Sequence, residues 1–157
     1  MANSAAEPAT DRVIQLVTFR LGGETYGIDV MHVQEVLRIS EIAPVPGAPS
    51  YVLGIINLRG NVVTVIDTRA RFGLPAVETD DSSRIVIIES DDQIVGILVD
   101  SVAEVVELNQ SEIDSAPSVG TEENSRYIQG VANKESGLLI VVDLHRLLSR
   151  NEWSELG

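Results

Sequence analysis

The chain has no cysteine, two histidines, and 11 lysines and arginines against 24 aspartates and glutamates. Each scarcity closes a class of function. Without cysteine there is no disulfide, thiolate metal site or cysteine nucleophile, which fits a reducing cytoplasm. A net charge of −13 with no cluster of Lys and Arg argues against nucleic acid as a partner, because phosphate binding rests on grouped cations that release counterions. Long apolar runs are missing too. The longest aliphatic run, Leu138 to Val142, is far shorter than the roughly 20 residues a membrane-spanning helix needs. The opening MANSAAEPAT has neither a basic start nor an apolar core, so it does not read as a signal peptide. The expectation is a soluble protein without membrane insertion, with residues 1–12 as a disordered tail and 151–157 as a second tail.

Catalytic signatures are equally thin. His32 falls beside a strand end and His145 on a C-terminal helix, in no metal-ligating spacing, and both read as surface residues. Gly22, Gly23 and Gly27 lack the spacing and the following helix of a dinucleotide site, and no phosphate-binding loop with a G-K-[ST] ending exists. The pairs Asp80-Asp81 and Asp91-Asp92 lack the alternation and the bidentate Glu of a calcium loop. No G-x-S-x-G elbow supports a hydrolase triad. The expectation is no enzyme, no catalytic residue, no metal and no cofactor.

What the chain does have is short β-branched runs between turn residues. Its 157 residues, 44% of them hydrophobic, suit one compact domain. Four hairpins are expected: Val13 to Leu21 with Thr25 to Val30, Tyr51 to Leu58 with Asn61 to Ile66, Ile85 to Glu89 with Gln93 to Val99, and Tyr127 to Ala132 with Leu138 to Val142. Asp67 can cap a short helix that Gly73 ends, and Asp143 one in which Leu144, Leu147 and Leu148 share a face. The pattern is mainly β.

The hairpins repeat. Adding 69 lays Val17, Gly27, Ile28, Val30, Val33, Glu35 and Val36 on identical residues from Val86 to Val105. Adding 76 lays Tyr51, Gly54, Asn57, Val65 and Asp67 on Tyr127, Gly130, Asn133, Val141 and Asp143. One motif is written twice, and copies of this size suit two small β-barrels sharing core within residues 13–150. The expected division places the first barrel at about 15–82 and the second at about 83–150, with the polar stretch Glu78 to Ser83 between them.

The copies also differ. Asn57-Leu58-Arg59-Gly60 stands where the second has Asn133-Lys134-Glu135-Ser136, so Arg59 either solubilises a turn or serves a partner. The loop Ile42-Ala43-Pro44-Val45-Pro46-Gly47-Ala48-Pro49 is read as having no equivalent in the second copy. It is either a cover for a barrel end or an apolar ledge for a protein contact.

The runs YGIDVMHVQEVLR, GIINLRGNVVTVIDTR, VGILVDSVAEVV and IVVDLHRLL closely resemble the CheW family, the coupling proteins of bacterial chemotaxis, in order from about Val13 to Leu148. The resemblance implies two intertwined, SH3-like, five-stranded β-barrels with short helices, one of them C-terminal. It implies a scaffold without catalysis, cytoplasmic and recruited to membrane-associated receptor arrays. Its partners would be the regulatory domain of the histidine kinase CheA, the cytoplasmic tip of chemoreceptors, and further copies of itself in rings. The receptor groove carries over to Val33, Glu35, Val36, Arg59, Ile85 and Val105. One kinase contact carries over to Asp114, Ser118 and Val119, where some relatives have a basic, an acidic and an aromatic residue, and the ledge around Ile42 and Val45 is assigned to the other. A coupling protein of a related array, such as one serving twitching motility, would look alike. A receiver-fused adaptor would need a further domain, and a small β-fold enzyme is the remote alternative.

Overall fold

The computed structural model of the protein describes residues 12–39, 41–90, 92–114, 127–134 and 137–147. They hold ten strands: β1 (Val13–Leu21), β2 (Glu24–Asp29), β3 (Val33–Arg38), β4 (Val52–Leu58), β5 (Asn61–Asp67), β6 (Arg84–Ser90), β7 (Gln93–Val99), β8 (Ser101–Asn109), β9 (Ile128–Lys134) and β10 (Gly137–Val142). Two four-residue helices, α1 (Thr68–Arg71) and α2 (Leu144–Leu147), follow β5 and β10. The expected caps are in place. Asp67 accepts the Ala70 amide at 3.2 Å, and Asp143 accepts the His145 amide at 3.0 Å.

All four expected hairpins form, with ends within one or two residues of those read from the sequence. The additional strands are β3 and β8. Each is the edge of a five-stranded sheet, the first ordered β8-β1-β2-β10-β9 and the second β3-β6-β7-β5-β4. The expected contiguous division at 15–82 and 83–150 does not coincide with these sheets. The β1-β2 hairpin of the first copy joins three strands of the second, and the β6-β7 hairpin of the second copy joins three strands of the first. The two copies carry matching apolar patterns, so a hairpin finds the same cross-strand partners in either copy, and the reciprocal arrangement is compatible with both.

The duplication holds at the level of register. Thr18 faces Gly27 as Ile87 faces Gly96, and Val141 lies between Gly130 and Gly27 as Val65 lies between Gly54 and Gly96. A register shift between Val17 and Phe19 opposite β8 matches one between Val33 and Glu35 opposite β6. Both sheets are also drawn towards closure in the same way. Beyond β3, Ala43 exchanges two backbone hydrogen bonds of 2.8 and 2.9 Å with Ile55 of β4, and beyond β8, Asp114 exchanges two of 2.8 Å with Val131 of β9. Glycine is required at both bridges: a Cβ on Gly54 would lie 2.2 Å from the Ala43 carbonyl oxygen, and one on Gly130 would lie 2.5 Å from that of Asp114.

The largest apolar cluster lies between the sheets and draws on both. It holds Phe19, Leu21, Tyr26 and Ile28 of the first sheet against Ile66, Val86, Ile88, Val95 and Ile97 of the second, sealed by Phe72 and Leu147. Two smaller clusters fill the sheets' opposite faces: Leu16, Leu108, Ala132, Leu139 and Val141 on one, and Ile56, Val63, Val65, Ile85 and Ile87 on the other. Each fully buried aliphatic side chain contributes roughly 1.5–3 kcal/mol, so the shared layer binds the two sheets into one unit. Arg71 marks the junction of the copies. Its guanidinium lies over the rings of both repeat-related tyrosines, 4.7 Å from Tyr51 and 5.3 Å from Tyr127, and donates to the Leu147 carbonyl at 2.8 Å.

Candidate interaction site

The β4-β5 hairpin turns through Arg59 and Gly60, both with positive φ (51° and 89°), between the paired residues Leu58 and Asn61. Two left-handed residues in a two-residue loop match the twist of the flanking strands, and Asn57 fixes the turn by accepting the Gly60 amide at 2.8 Å. Glycine is the ordinary occupant of such a backbone. Arginine is not, because its Cβ crowds the neighbouring carbonyl there. The strained position aims the side chain across to β3, where both terminal nitrogens reach the Glu35 carboxylate, Nη1 donating to Oε1 at 3.2 Å and Nη2 to Oε2. The hydrogen bonds from Arg59 hold the Glu35 carboxyl below the usual carboxylate range, and the carboxylate in turn raises the guanidinium. An ion pair with its arginine 70% exposed stabilises a fold little, but it orients a guanidinium that keeps donors free for a partner.

Beside this pair the edge strand presents Val36, 40% exposed. Val36 lies directly opposite the buried Val86, so the two share a face, and that face is the one turned towards the other sheet. Val33, half-buried at the start of β3, packs against the same inter-sheet core. On the other sheet Val105 faces Val17 in the same way and is 54% exposed. Val33, Val36 and Val105 therefore extend the shared apolar layer to its solvent margins. The structure brings Arg59 and Glu35 together, whereas Val36, next along β3, lies on the strand's other face: Glu35 is opposite Ile87 of the far-face cluster and Val36 opposite Val86 of the inter-sheet core. Val105 occupies the equivalent place on the other sheet, beside Glu104.

Ile85 does not belong to this surface. It is fully buried, opposite Leu37, in the cluster on the far face of the second sheet. The run Ile85 to Ile88 is apolar at every position and buried on both faces, so the sequence carries no alternation from which a surface face can be read.

The loop after β3 divides into two parts. Ile42 packs against the apolar face of the second sheet, and Ala43 makes the closing bridge, so this part covers a sheet end. Val45, 40% exposed between Pro44 and Pro46, is free for a contact. The loop has a counterpart after all: Ile42 and Ala43 stand to Gly54 as Ile113 and Asp114 stand to Gly130. The equivalence escapes the sequence because the bridge is made by backbone and the offset there becomes 71. Asp114 itself is exposed, with its amide and carbonyl engaged by Val131. Ser118 and Val119 lie outside the described residues.

The two histidines lie side by side. His32 is half-buried, its Nδ1 3.2 Å from the Glu89 carbonyl oxygen, and the exposed His145 has its Nδ1 3.1 Å from the Ser90 hydroxyl. Their rings meet edge to face at 5.4 Å. Among the described residues no group of three or more His, Cys, Asp and Glu side chains could hold a metal ion, and no helix is long and apolar enough to cross a membrane.

The sequence signals missed at this site are the two edge strands and the backbone of Arg59. The residue pair Arg59-Gly60 between apolar runs located the turn, but only the backbone shows that both residues are left-handed.

Residues 15–152 match the family described as the CheW-like domain. The chain is 39% identical over 151 residues to the chemotaxis protein CheW of Treponema pallidum, covering 94% of this chain and 89% of that protein. It is 33% identical to the chemotaxis protein CheW of Klebsiella aerogenes, covering 89% and 84%. Its fold is similar to the crystal structure of the scaffolding protein TtCheW from Thermoanaerobacter tengcongensis, with a TM-score of 0.81, 35% identity, and 90% of this chain and 96% of that one aligned. With the paired five-stranded sheets and a family match across nearly its whole length, the chain belongs to the CheW-like family of chemotaxis proteins.

Proposed function

We propose that this chain is a non-catalytic scaffold that couples the cytoplasmic tip of chemoreceptors to the histidine kinase CheA, working in the cytoplasm at receptor arrays. The observation that carries the reading is the Arg59–Glu35 pair: an arginine held in a left-handed turn, oriented by a carboxylate, beside the exposed Val36. A receptor helical hairpin would lay its apolar face on Val33, Val36 and Val105, and Arg59 with Glu35 would set its register through charge-assisted bonds. The kinase regulatory domain would take the exposed part of the ledge at Val45 and the loop from Asp114 through Ser118 and Val119. Scaffolding of this kind acts by favouring one conformational state of the kinase rather than by chemistry. The unit that does so spans residues 13–150.

Arg59→Glu tests this reading. It places a carboxylate opposite Glu35 on an exposed turn, and because an exposed ion pair contributes little to stability the fold should be retained. Affinity for a receptor fragment should fall measurably, while affinity for the kinase regulatory domain is unchanged. The two partners are titrated separately after the melting temperature is checked. Equal loss for both partners, or a large fall in melting temperature, would make Arg59 a structural residue and remove the reading.

A further inference from the structure

The two sheets have the same registers but different interiors. Towards the turn end of its enclosed face the second sheet carries Ile87, Ile94 and Leu58. At the equivalent positions, found by subtracting 69 or adding 76, the first sheet carries Thr18, Thr25 and Lys134. Each exchange is to a smaller or more polar side chain. Deeper in, Ala132 stands where the second sheet has Ile56. The result is a cavity of about 800 Å³ at the mouth of the first sheet, between β8 and the β9-β10 hairpin, with Thr18, Arg20 and Thr25 among its lining residues.

The cavity is amphipathic. Val106 and Leu139 line it with aliphatic surface, and Leu138, 43% exposed, extends that surface outwards. Arg20 reaches it without an ion-pair partner among the described residues, and Lys134 reaches it while engaging Glu112 only loosely, at 4.0 Å. Among the described residues of the lining Glu104 is the single carboxylate. Thr18 holds that residue's backbone from both sides, donating to its carbonyl at 2.7 Å and accepting its amide at 3.0 Å, so the opening is braced rather than collapsed. In a chain of net charge −13, the described lining gathers two cations, one of them loosely engaged by Glu112, against one carboxylate. Volumes of this order are those of small-molecule sites with apolar walls and a few placed polar groups.

We propose that this cavity binds a small aliphatic carboxylate, its chain against Val106 and Leu139 and its carboxylate between Arg20 and Lys134. The site is separate from the Arg59 turn but borders the proposed receptor surface at Val105, which also lines the cavity; the proposal does not depend on the coupling function. Sodium octanoate, kept below its micelle concentration, is the probe, followed by two-dimensional amide NMR on the full chain. Saturable shifts are expected at Thr18, Thr25, Val106, Lys134 and Leu139, with none at Asn57 to Asn61. Octanol, which has the same chain without the charge, should bind at least about tenfold more weakly, the equivalent of one lost charge-assisted bond. Arg20→Glu should raise the dissociation constant for octanoate by a similar factor. The double change Thr25→Ile and Lys134→Leu copies the filled sheet and should abolish the shifts, with the melting temperature showing that both variants fold. Absence of saturable shifts, shifts centred elsewhere, or equal binding of octanol would overturn the proposal.

Discussion

The clasps at the two ends of the repeat illustrate how one backbone plan carries two chemistries. Between the sheets on one side, Arg69 of α1 donates to Asp100 through Nε at 2.9 Å and Nη2 at 2.5 Å, and Asp100 also accepts the Gly22 amide of the β1-β2 turn at 2.9 Å. At the repeat-related positions the chain has His145 for Arg69 and Met31 for Asp100. There His145 meets Ser90 and His32 instead, and Met31 is 86% exposed. The same division appears at the hairpin tips and in the sheet interiors. Registers and bridging glycines are shared, whereas the side chains at turns, edges and one sheet mouth are not. Backbone pairing tolerates such change because the ladder is made by main-chain atoms, and side chains at its margins are free to serve partners.

Breaking a shared feature should have the largest effect. Gly54→Ala puts a Cβ 2.2 Å from a backbone oxygen that cannot move without undoing the Ala43–Ile55 bridge, at a φ of 155° that alanine strains to adopt. The two costs together are about 3–5 kcal/mol. Gly130→Ala meets the Asp114 oxygen at 2.5 Å without the positive φ, so its cost should be smaller by roughly 1–3 kcal/mol. Denaturant titration of both variants measures the difference. Equal costs would mean that the two bridges are not strained as their geometry requires.

Next in size is an exchange between the interiors. Ile56→Ala gives the filled sheet the residue its counterpart has at Ala132, and should cost about 2–5 kcal/mol because a packed site collapses only in part. Ala132→Ile is the reverse. Ala132 is fully buried, yet it lies below an open mouth, so the added methylenes should cost at the low end of the ~1–3 kcal/mol range for overpacking. A larger loss from Ala132→Ile than from Ile56→Ala would contradict the account of one hollow and one filled sheet.

Acid should act on the clasps unequally. The hydrogen bonds from Arg69, with the Gly22 amide adding to them, hold the Asp100 carboxyl below its ordinary value. A depressed folded-state pKa means that the unfolded chain binds the proton first. The stability Asp100 contributes is therefore complete above the ordinary carboxylate range and is lost as pH falls through that range to the folded-state value. Asp100→Asn should cost about 1–2 kcal/mol at neutral pH and remove part of the acid limb of the melting-temperature profile. The His145 clasp has no carboxylate in this role, and His145→Gln should leave that limb in place. An unchanged acid limb in Asp100→Asn would show that the clasp does not contribute to acid unfolding.

Much of this was legible in the sequence, for physical reasons that differ by element. Strands such as Asn61 to Ile66 were legible because β-branched runs end in turn residues, and the repeat was legible because its glycines and aspartates have fixed backbone tasks. The edge strands were not. VQEVLR in β3 mixes two charges with its apolar residues, because half of an edge strand faces water. The hairpin exchange was not legible in the residue pattern, though the family resemblance implied intertwined barrels, for the opposite reason: two copies with matching patterns satisfy either pairing. Ile85 was placed by the family resemblance, and its run, buried on both faces, carries no period that could have corrected it; the loop at Ile42 was only half understood because its counterpart at Ile113 stands at an offset of 71, outside both repeat offsets.

The smallest expected effect on stability is also the one that separates stability from function most sharply. Arg59→Asn installs the Asn-Gly pair that a two-residue hairpin with both residues left-handed prefers. Asn tolerates the left-handed region at φ 51° better than Arg, so backbone strain should fall, and loss of the exposed bond to Glu35 should cost little. The melting temperature should therefore stay level or rise slightly. Val36 and the β3 edge are untouched, so the apolar part of the surface remains. Only the oriented guanidinium is removed. If Arg59 stands in this turn for a receptor, the variant should bind a receptor fragment more weakly while being at least as stable as the parent, and the kinase regulatory domain should bind both alike. A fall in melting temperature of more than a few degrees would instead mean that the Arg59–Glu35 pair holds β3 against the hairpin, and the left-handed arginine would then be a structural feature of the second sheet rather than an exposed contact.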